Sequence, residues 1–362
     1  MKILVVFLTM IVASLPAYAS LEIGGYYKNE FNITGWKSKE LTMGDLNKLR
    51  LKFAASPDPA ITAHAEVEYK TYHGDRTQTL TGTITQSHNL DRAYVRIYLP
   101  YADLTFGKQR IAWGTGYIWN PTDILNPFFL IEPEEEKPGI GAVRVEIPLG
   151  VASGFDLVFS PGSEGLESSI AAIKGKTNIG VYDFSASYIS YGPKKENVAG
   201  FDTAGDFFEL GVRFEGTHTA SQDGSSYTRY IAGADYTFKG GLNVNLEYYY
   251  NGLGKMDTSE YDWTSLFAGQ IYHLAREYIY FGVSKDITEL MNIRGGIIYN
   301  ITDQSYIFYP SYSYNIFTDT DLLLEALLLG GEEGSEYNPY PAEDPTGLLG
   351  GSVYFIKLRV SF

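Results

Sequence analysis

The chain of 362 residues carries 28 basic and 43 acidic side chains, a formal charge of −15, and no cysteine. The acidic balance excludes a phosphate-neutralising nucleic-acid binder, and the missing cysteine excludes disulfide frameworks, thiolate metal centres and cysteine nucleophiles. Tyrosine, at 30 residues, outnumbers phenylalanine at 20, which points to a surface at an oil–water boundary, where an apolar ring with a polar tip is satisfied on both sides.

In chain order, residues 1–19 read as an export signal. Lys2 supplies the positive start, Ile3 to Leu15 an apolar stretch, and Ala17-Tyr18-Ala19 a small-x-small cleavage pattern. The apolar stretch is shorter than the roughly 20 residues that a spanning helix needs. From residue 21 the pattern has period two. In 61–72, Ile61, Ala63, Ala65, Val67 and Tyr69 oppose His64, Glu66, Glu68 and Lys70, and 48–55 and 92–99 repeat the alternation. It lapses over 111–138, is poor over 168–174 and 196–204, and resumes over 207–215 and 229–238. In 241–251 it is strict, with Leu242, Val244, Leu246, Tyr248 and Tyr250 on one face. The last segment, 351–362, sets Tyr354, Ile356, Leu358, Val360 and Phe362 against Lys357 and Arg359. Alternation held for about ten residues is the length of an outer-membrane strand, roughly twice that of a soluble sandwich strand.

Connections alternate in length. Short ones fall near 57–59, 100, 149–150, 175–178, 205–206, 239–240, 286–288 and 318–319. Long ones fall near 34–44, 73–87, 111–138, 161–167, 191–195, 218–226, 252–270, 302–304 and 331–349. The prediction is an all-β fold: one transmembrane antiparallel β-barrel over 20–362 with 18 strands, or 16 if the two poor segments are not strands. Both termini then lie on the periplasmic side with the short turns. The last strand is expected to pair with 21–33, which leaves no open edge. An amphipathic last strand ending on an aromatic, here Phe362, resembles the signal read by the outer-membrane barrel assembly machinery.

With the apolar faces turned to lipid, the lumen receives Lys28, Lys48, Arg50, Lys52, Arg92, Arg96, Lys357 and Arg359 among its bases, and Glu22, Glu30, Glu66, Glu68, Glu215 and Glu247 among its acids. A cross-strand ion pair is the default for any one of them. At the seam of the last, first and second strands, however, Lys28, Lys48, Arg50, Lys52, Lys357 and Arg359 form a basic ladder in which Glu22 and Glu30 are the only acids expected. The inserted loop 111–138, with Trp113, Trp119, Phe128 and Phe129, is too apolar to stand in water and is expected to fold inward. Trp113, Trp119, Asp123 and Phe128 facing Arg50, Lys52, Arg92, Arg96, Lys357 and Arg359 are the candidate constriction and solute path.

The stretch 103–114, with Gly107, Lys108, Gln109, Trp113 and Gly114, followed by Asp123, Asn126 and Pro127, resembles a signature of porin-like bacterial outer-membrane barrels, including the alginate-export-like ones. The resemblance implies a channel in the Gram-negative outer membrane, among its lipid and lipopolysaccharide. The acidic loops depart from a strongly basic exporter of polyanions. The expectation is a passive pore for small hydrophilic solutes. A structural or adhesive barrel with a plugged lumen and an outer-membrane hydrolase are the alternatives. None of the five histidines, His64, His73, His88, His218 and His273, sits in a nucleophile or zinc motif, so no enzyme and no cofactor is expected. The acidic runs at Glu132, Glu134, Glu135 and Glu136 and at Glu332 and Glu333 read as solvated rather than metal-binding.

Overall fold

A single sheet of alternating strands is left without an open edge only if it closes on itself, and it does. The computed structural model describes residues 20–35, 41–79, 82–126, 137–340 and 351–362. The export signal expected over 1–19 lies outside them. The strands are β1 (Ser20–Gly35), β2 (Leu41–Asp58), β3 (Ile61–Gly74), β4 (Gln86–Tyr98), β5 (Asp103–Gln109), β6 (Ile140–Pro148), β7 (Gly154–Gly162), β8 (Gly165–Ile179), β9 (Tyr182–Tyr191), β10 (Glu196–Phe207), β11 (Leu210–Ser221), β12 (Ser226–Thr237), β13 (Leu242–Asn251), β14 (Glu277–Thr288), β15 (Met291–Asn300), β16 (Tyr306–Phe317), β17 (Thr320–Gly330) and β18 (Ser352–Ser361). Each pairs antiparallel with its neighbour in sequence, and β18 closes on β1 from Tyr26 opposite Ser361 to Gly35 opposite Ser352. The terminal residue joins the seam: Gly25 N donates to the Phe362 carbonyl at 2.9 Å, and Phe362 N donates to the Gly25 carbonyl at 3.0 Å.

The 18-strand expectation holds and the 16-strand fallback does not, because 165–179 and 196–207 are full strands. Three short turns lie later than expected, at 180–181, 208–209 and 289–290, since β8 runs on to Ile179, β10 to Phe207 and β14 to Thr288.

Burial is inverted relative to a water-soluble protein. Phe106, Phe159, Phe201, Phe214, Phe281 and Phe308, spread around the circumference, are 39–44% exposed, whereas Lys48, Glu66, Glu215 and Glu247 are at most 2% exposed. Charged side chains are almost never fully buried unless paired, and large apolar rings are seldom left outside, so the outer surface faces lipid and the charges line an interior. The rim of short turns carries exposed Tyr101, Phe208 and Phe317, as an interfacial aromatic girdle does.

The interior is not uniformly polar. Ala142, Val158, Ile170, Ala172, Ile189 and Val198, on β6 to β10, face inward and pack against Ile111, Trp113 and Leu125 of the segment after β5. This explains the poor alternation of 168–174 and 196–204. Both faces of those strands are apolar, one against lipid and one against the inserted segment.

Candidate functional site

The segment 110–126 leaves β5 at Gln109, whose Nε2 donates to the Thr105 and Ala142 carbonyls at 3.3 and 3.1 Å. These bonds fix the exit of the chain between β5 and β6. Trp113 then inserts against the inner wall and its Nε1 donates to Asp156 at 3.0 Å. The base of the loop is tied by Asn126, which bonds both the amide and the carbonyl of Ile111, at 3.2 and 2.5 Å.

The middle of the segment is held by two carboxylates on strands well around the wall. Glu215 on β11 accepts from Thr115 N (2.7 Å), Gly116 N (3.2 Å), Thr122 N (2.5 Å) and Thr122 Oγ1 (2.8 Å). Glu247 on β13 accepts from Tyr117 N (2.6 Å), Ile118 N (3.0 Å) and Trp119 N (2.9 Å). Both carboxylates are 0% exposed. Across the strands Glu215 faces Asp202 and Ile231, and Glu247 faces Gly233 and Tyr280, so no cation is opposite either. A row of aligned backbone N–H groups supplies positive potential to both, joined at Glu247 by the charge of Arg213, which lies in the same row beyond Gly233. The approach requires glycine. Gly114 has φ +97°, and a Cβ there would lie 2.7–2.8 Å from the Glu215 oxygens; at Gly116 a Cβ would lie 1.7 Å from the Trp119 carbonyl.

Trp119 carries the segment into a second cluster. Its ring stacks on Tyr249 at 5.1 Å and its Nε1 donates to His273 Nε2 at 3.0 Å. Burial, with some help from the Arg229 charge, pushes the His273 imidazole down to about 3, so it is neutral and accepts the indole proton on Nε2. The connections after β13 and β17 fold over this cluster. The first forms a helical turn, α1 (Trp263–Phe267), capped by Asp262 accepting from Ser265 N at 2.9 Å. The second delivers Glu336, whose carboxylate accepts from Leu274 N (3.0 Å), Tyr278 Oη (2.6 Å) and Asn300 Nδ2 (2.7 Å). Burial drives the Glu336 carboxyl up to about 7.

The other side of the lumen, on β1 to β4 with β17 and β18, is ionic. Arg50 bonds Glu66 (2.6 Å), Glu68 (3.0 Å) and Asp91 (2.6 Å). Lys48 pairs with Glu68 at 2.6 Å and Lys357 with Glu325 at 2.6 Å. Arg92 lies 3.6 Å from both Glu66 and Asp91, and Arg96 pairs with Glu146. A recess of 330 Å³ is lined by Lys28, Lys48, Arg50, Lys52, Lys357 and Arg359 with Tyr26 and Asp321. Among the described residues, Lys52 and Arg359 have no carboxylate within ion-pair distance; Arg359 lies over the Tyr26 ring at 4.3 Å.

The six seam bases therefore meet, but not as a bare ladder. Glu66, Glu68, Asp91 and Glu325 reach into it from β3, β4 and β17, where only Glu22 and Glu30 were expected. Asp91 was missed because period two, counted from Arg92, sends it to lipid. A bulge between Glu66 and Val67 turns both Asp91 and Arg92 inward. Trp113 and Trp119 do not offer open faces to a solute. Each is 4% exposed against the wall, and the segment's open ring is Tyr117, 50% exposed and stacked on Tyr280 at 5.5 Å. Asp123 is spent on Lys137 (2.7 Å) and Asn126 (2.9 Å). Phe128 lies outside the described residues, as do Glu132 to Glu136. Among the described residues no group of three or more His, Asp or Glu is arranged to hold a metal ion. The roles of Glu215 and Glu247 left no signal in the sequence, because Arg213 and Arg229 on β11 and β12 look like partners within reach of both.

No protein-family model matches the sequence, and no curated protein is similar to it. Solved structures are similar in fold. OccAB1 of Acinetobacter baumannii has a TM-score of 0.65 at 9% identity, over 94% of this chain and 96% of its own. OccK8 (OprE) of Pseudomonas aeruginosa has 0.60 at 8%, over 95% and 98%. A triple mutant of Rhodopseudomonas blastica porin has 0.50 at 10%, over 95% and 100%. With its closed 18-strand sheet, lipid-facing outer surface and charged interior, the chain has the fold of a porin-like outer-membrane β-barrel.

Proposed function

We propose that the protein is a passive diffusion channel for small hydrophilic solutes, narrowed by the segment 110–126 against the basic seam. Eighteen strands leave a lumen that wall side chains cannot fill, so selectivity falls to an inserted segment and to fixed charges. The observation that carries the reading is the pairing of two opposite sides. The segment is anchored to Glu215 on β11, nine strands from β2, half the circumference away, where Lys52 is left without a carboxylate. Tyr117 on the segment and Lys52 and Arg359 on the wall are the groups a passing solute meets. Each contact must be weak, since a solute held tightly does not leave.

The test is single-channel conductance of refolded protein in asymmetric salt. Excising 113–126 is expected to raise conductance severalfold, and replacing Lys52 and Arg359 together by methionine is expected to shift selectivity toward cations. Unchanged conductance after the excision defeats the constriction, and no conductance in the native protein makes a plugged barrel the better reading. The reading places both termini and the short turns in the periplasm and Phe362 in recognition by the assembly machinery. Deleting Phe362 is then expected to reduce the heat-modifiable, folded barrel in cells more than deleting any long loop. Undiminished folded barrel speaks against that role.

A further inference from the structure

We infer that Glu215 and Glu247 are a carboxylate latch. They are positioning residues whose four oxygens hold the backbone of 115–122 against the wall and so set the open width of the channel. The inference rests on the diffusion-channel reading above.

Six backbone N–H groups and one hydroxyl converge on these two side chains, every one of them from the inserted segment. Neither carboxylate has an ion-pair partner among the described residues, although the lumen elsewhere pairs its acids with bases, as Asp156 with Arg144 and Asp202 with Lys174. Each side is incomplete alone. Undocked, the segment has six amides with no strand to receive them, and the wall has two buried acids with no base directly opposite on either neighbouring strand. Buried polar groups go unpaired only at high cost, so the two sets specify each other. The fit is also backbone-specific. It needs the left-handed turn at Gly114 and the close approach at Gly116, both without a Cβ. The row of N–H groups is an anion-binding nest whose ligand is the barrel's own wall. A nest of this kind accepts a free carboxylate if the wall's is removed.

The latch makes a prediction that ordinary packing does not. In the Glu215→Ala/Glu247→Ala double variant, refolded in lipid, the amides of 115–119 and 122 are expected to exchange about tenfold faster or more, as loss of charged hydrogen bonds implies. Conductance is expected to rise toward that of the barrel lacking 113–126. Added acetate is expected to return both readings toward native, and chloride at equal ionic strength is not. Glu215→Gln serves if the double variant does not insert. It keeps one acceptor oxygen, so either the Thr115 and Gly116 amides or Thr122 should lose protection, but not both. Native-like exchange in a folded double variant overturns the latch. So does failure of acetate to restore either reading, which leaves the two residues a merely structural part. In the glutamine variant, unchanged protection at all of these amides overturns it. Exchange is read without conduction, so a native barrel that does not conduct defeats the channel reading and leaves the latch to be decided separately.

Discussion

The lumen wall of β6 to β15 and the wall of β1 to β4 with β17 and β18 meet the same problem in opposite ways. Both carry polar and charged groups on the inner face that must be satisfied. The first is covered by chain: apolar residues of β6 to β10 take Ile111, Trp113 and Leu125, and the buried acids of β11 and β13 take backbone amides. The second is covered by its own side chains, in a lattice centred on Arg50. The comparison teaches that a charge inside the barrel does not mark a solute contact. Glu215, Glu247 and Arg50 are all inward and all spent on the protein, whereas Lys52 and Arg359, at the edge of the lattice, have no carboxylate within ion-pair distance among the described residues.

The covered wall breaks most severely at its aromatic anchor. Trp119→Ala empties a site 4% exposed and strands the His273 Nε2 acceptor. About 3–5 kcal/mol is expected to be lost from the docked segment, in line with other large-to-small core changes. Limited proteolysis within 110–126 reads this directly. Tyr117→Ala, at a half-open ring on the same segment, is expected to cost about 1 kcal/mol or less and to change conductance instead. Equal costs at the two positions would erase the distinction between anchor and lining.

On the ionic wall the contrast lies within one strand. Arg50→Met leaves Glu66, Glu68 and Asp91 without their shared cation and is expected to cost about 3–5 kcal/mol. Lys52→Met, two residues on and facing the same way, is expected to cost under about 1 kcal/mol and to weaken anion preference. Denaturant midpoints of the refolded barrel measure the first, and reversal potentials the second. Comparable midpoints for the two variants would mean that the lattice does not hold this wall.

A further effect is on pH, at the loops over the covered wall. Glu336 is raised from 4.5 to about 7 by burial, opposed by hydrogen bonds from Tyr278, Leu274 and Asn300 and reinforced by the charge of Asp303; Tyr261 and Tyr337 also face this pocket. The folded state then binds this proton more tightly than the unfolded state. The stabilisation is fully present below about pH 4.5 and is lost as pH rises through about 7, a change of up to about 3 kcal/mol. With the intrinsic rise of amide exchange with pH divided out, protection over 331–340 is expected to fall between pH 5 and pH 8, and Glu336→Gln to flatten that fall. His273, held near 3, stays neutral throughout this window and contributes nothing to it. A dependence that survives Glu336→Gln would place the titrating group elsewhere.

Period two was enough to read the barrel, the strand count and the seam, because one face of each strand must meet lipid and the chain cannot hide that. It was weakest at 168–174 and 196–204, and there the weakness was itself informative, since strands apolar on both faces must be covered from inside. The inward course of 111–126 could be read from its aromatic content. Which rings it buries could not, as Trp113 and Trp119 are sequestered while Tyr117 stays open, and that choice depends on which strand each residue reaches.

The sequence by itself determined the closed sheet, its lipid-facing surface, the alternation of short and long connections and the gathering of basic residues at the seam. These follow from local alternation and from pairing between neighbours in the chain. Only the tertiary structure decided which charges remain free. One bulge at Asp91 adds an acid that alternation would send outward, and contacts spanning about 100 residues or more, from Thr115 to Glu215 and from Tyr117 to Glu247, consume two acids that look available. Such pairings depend on barrel curvature and on the path of a segment without regular structure, and neither leaves a period in the sequence.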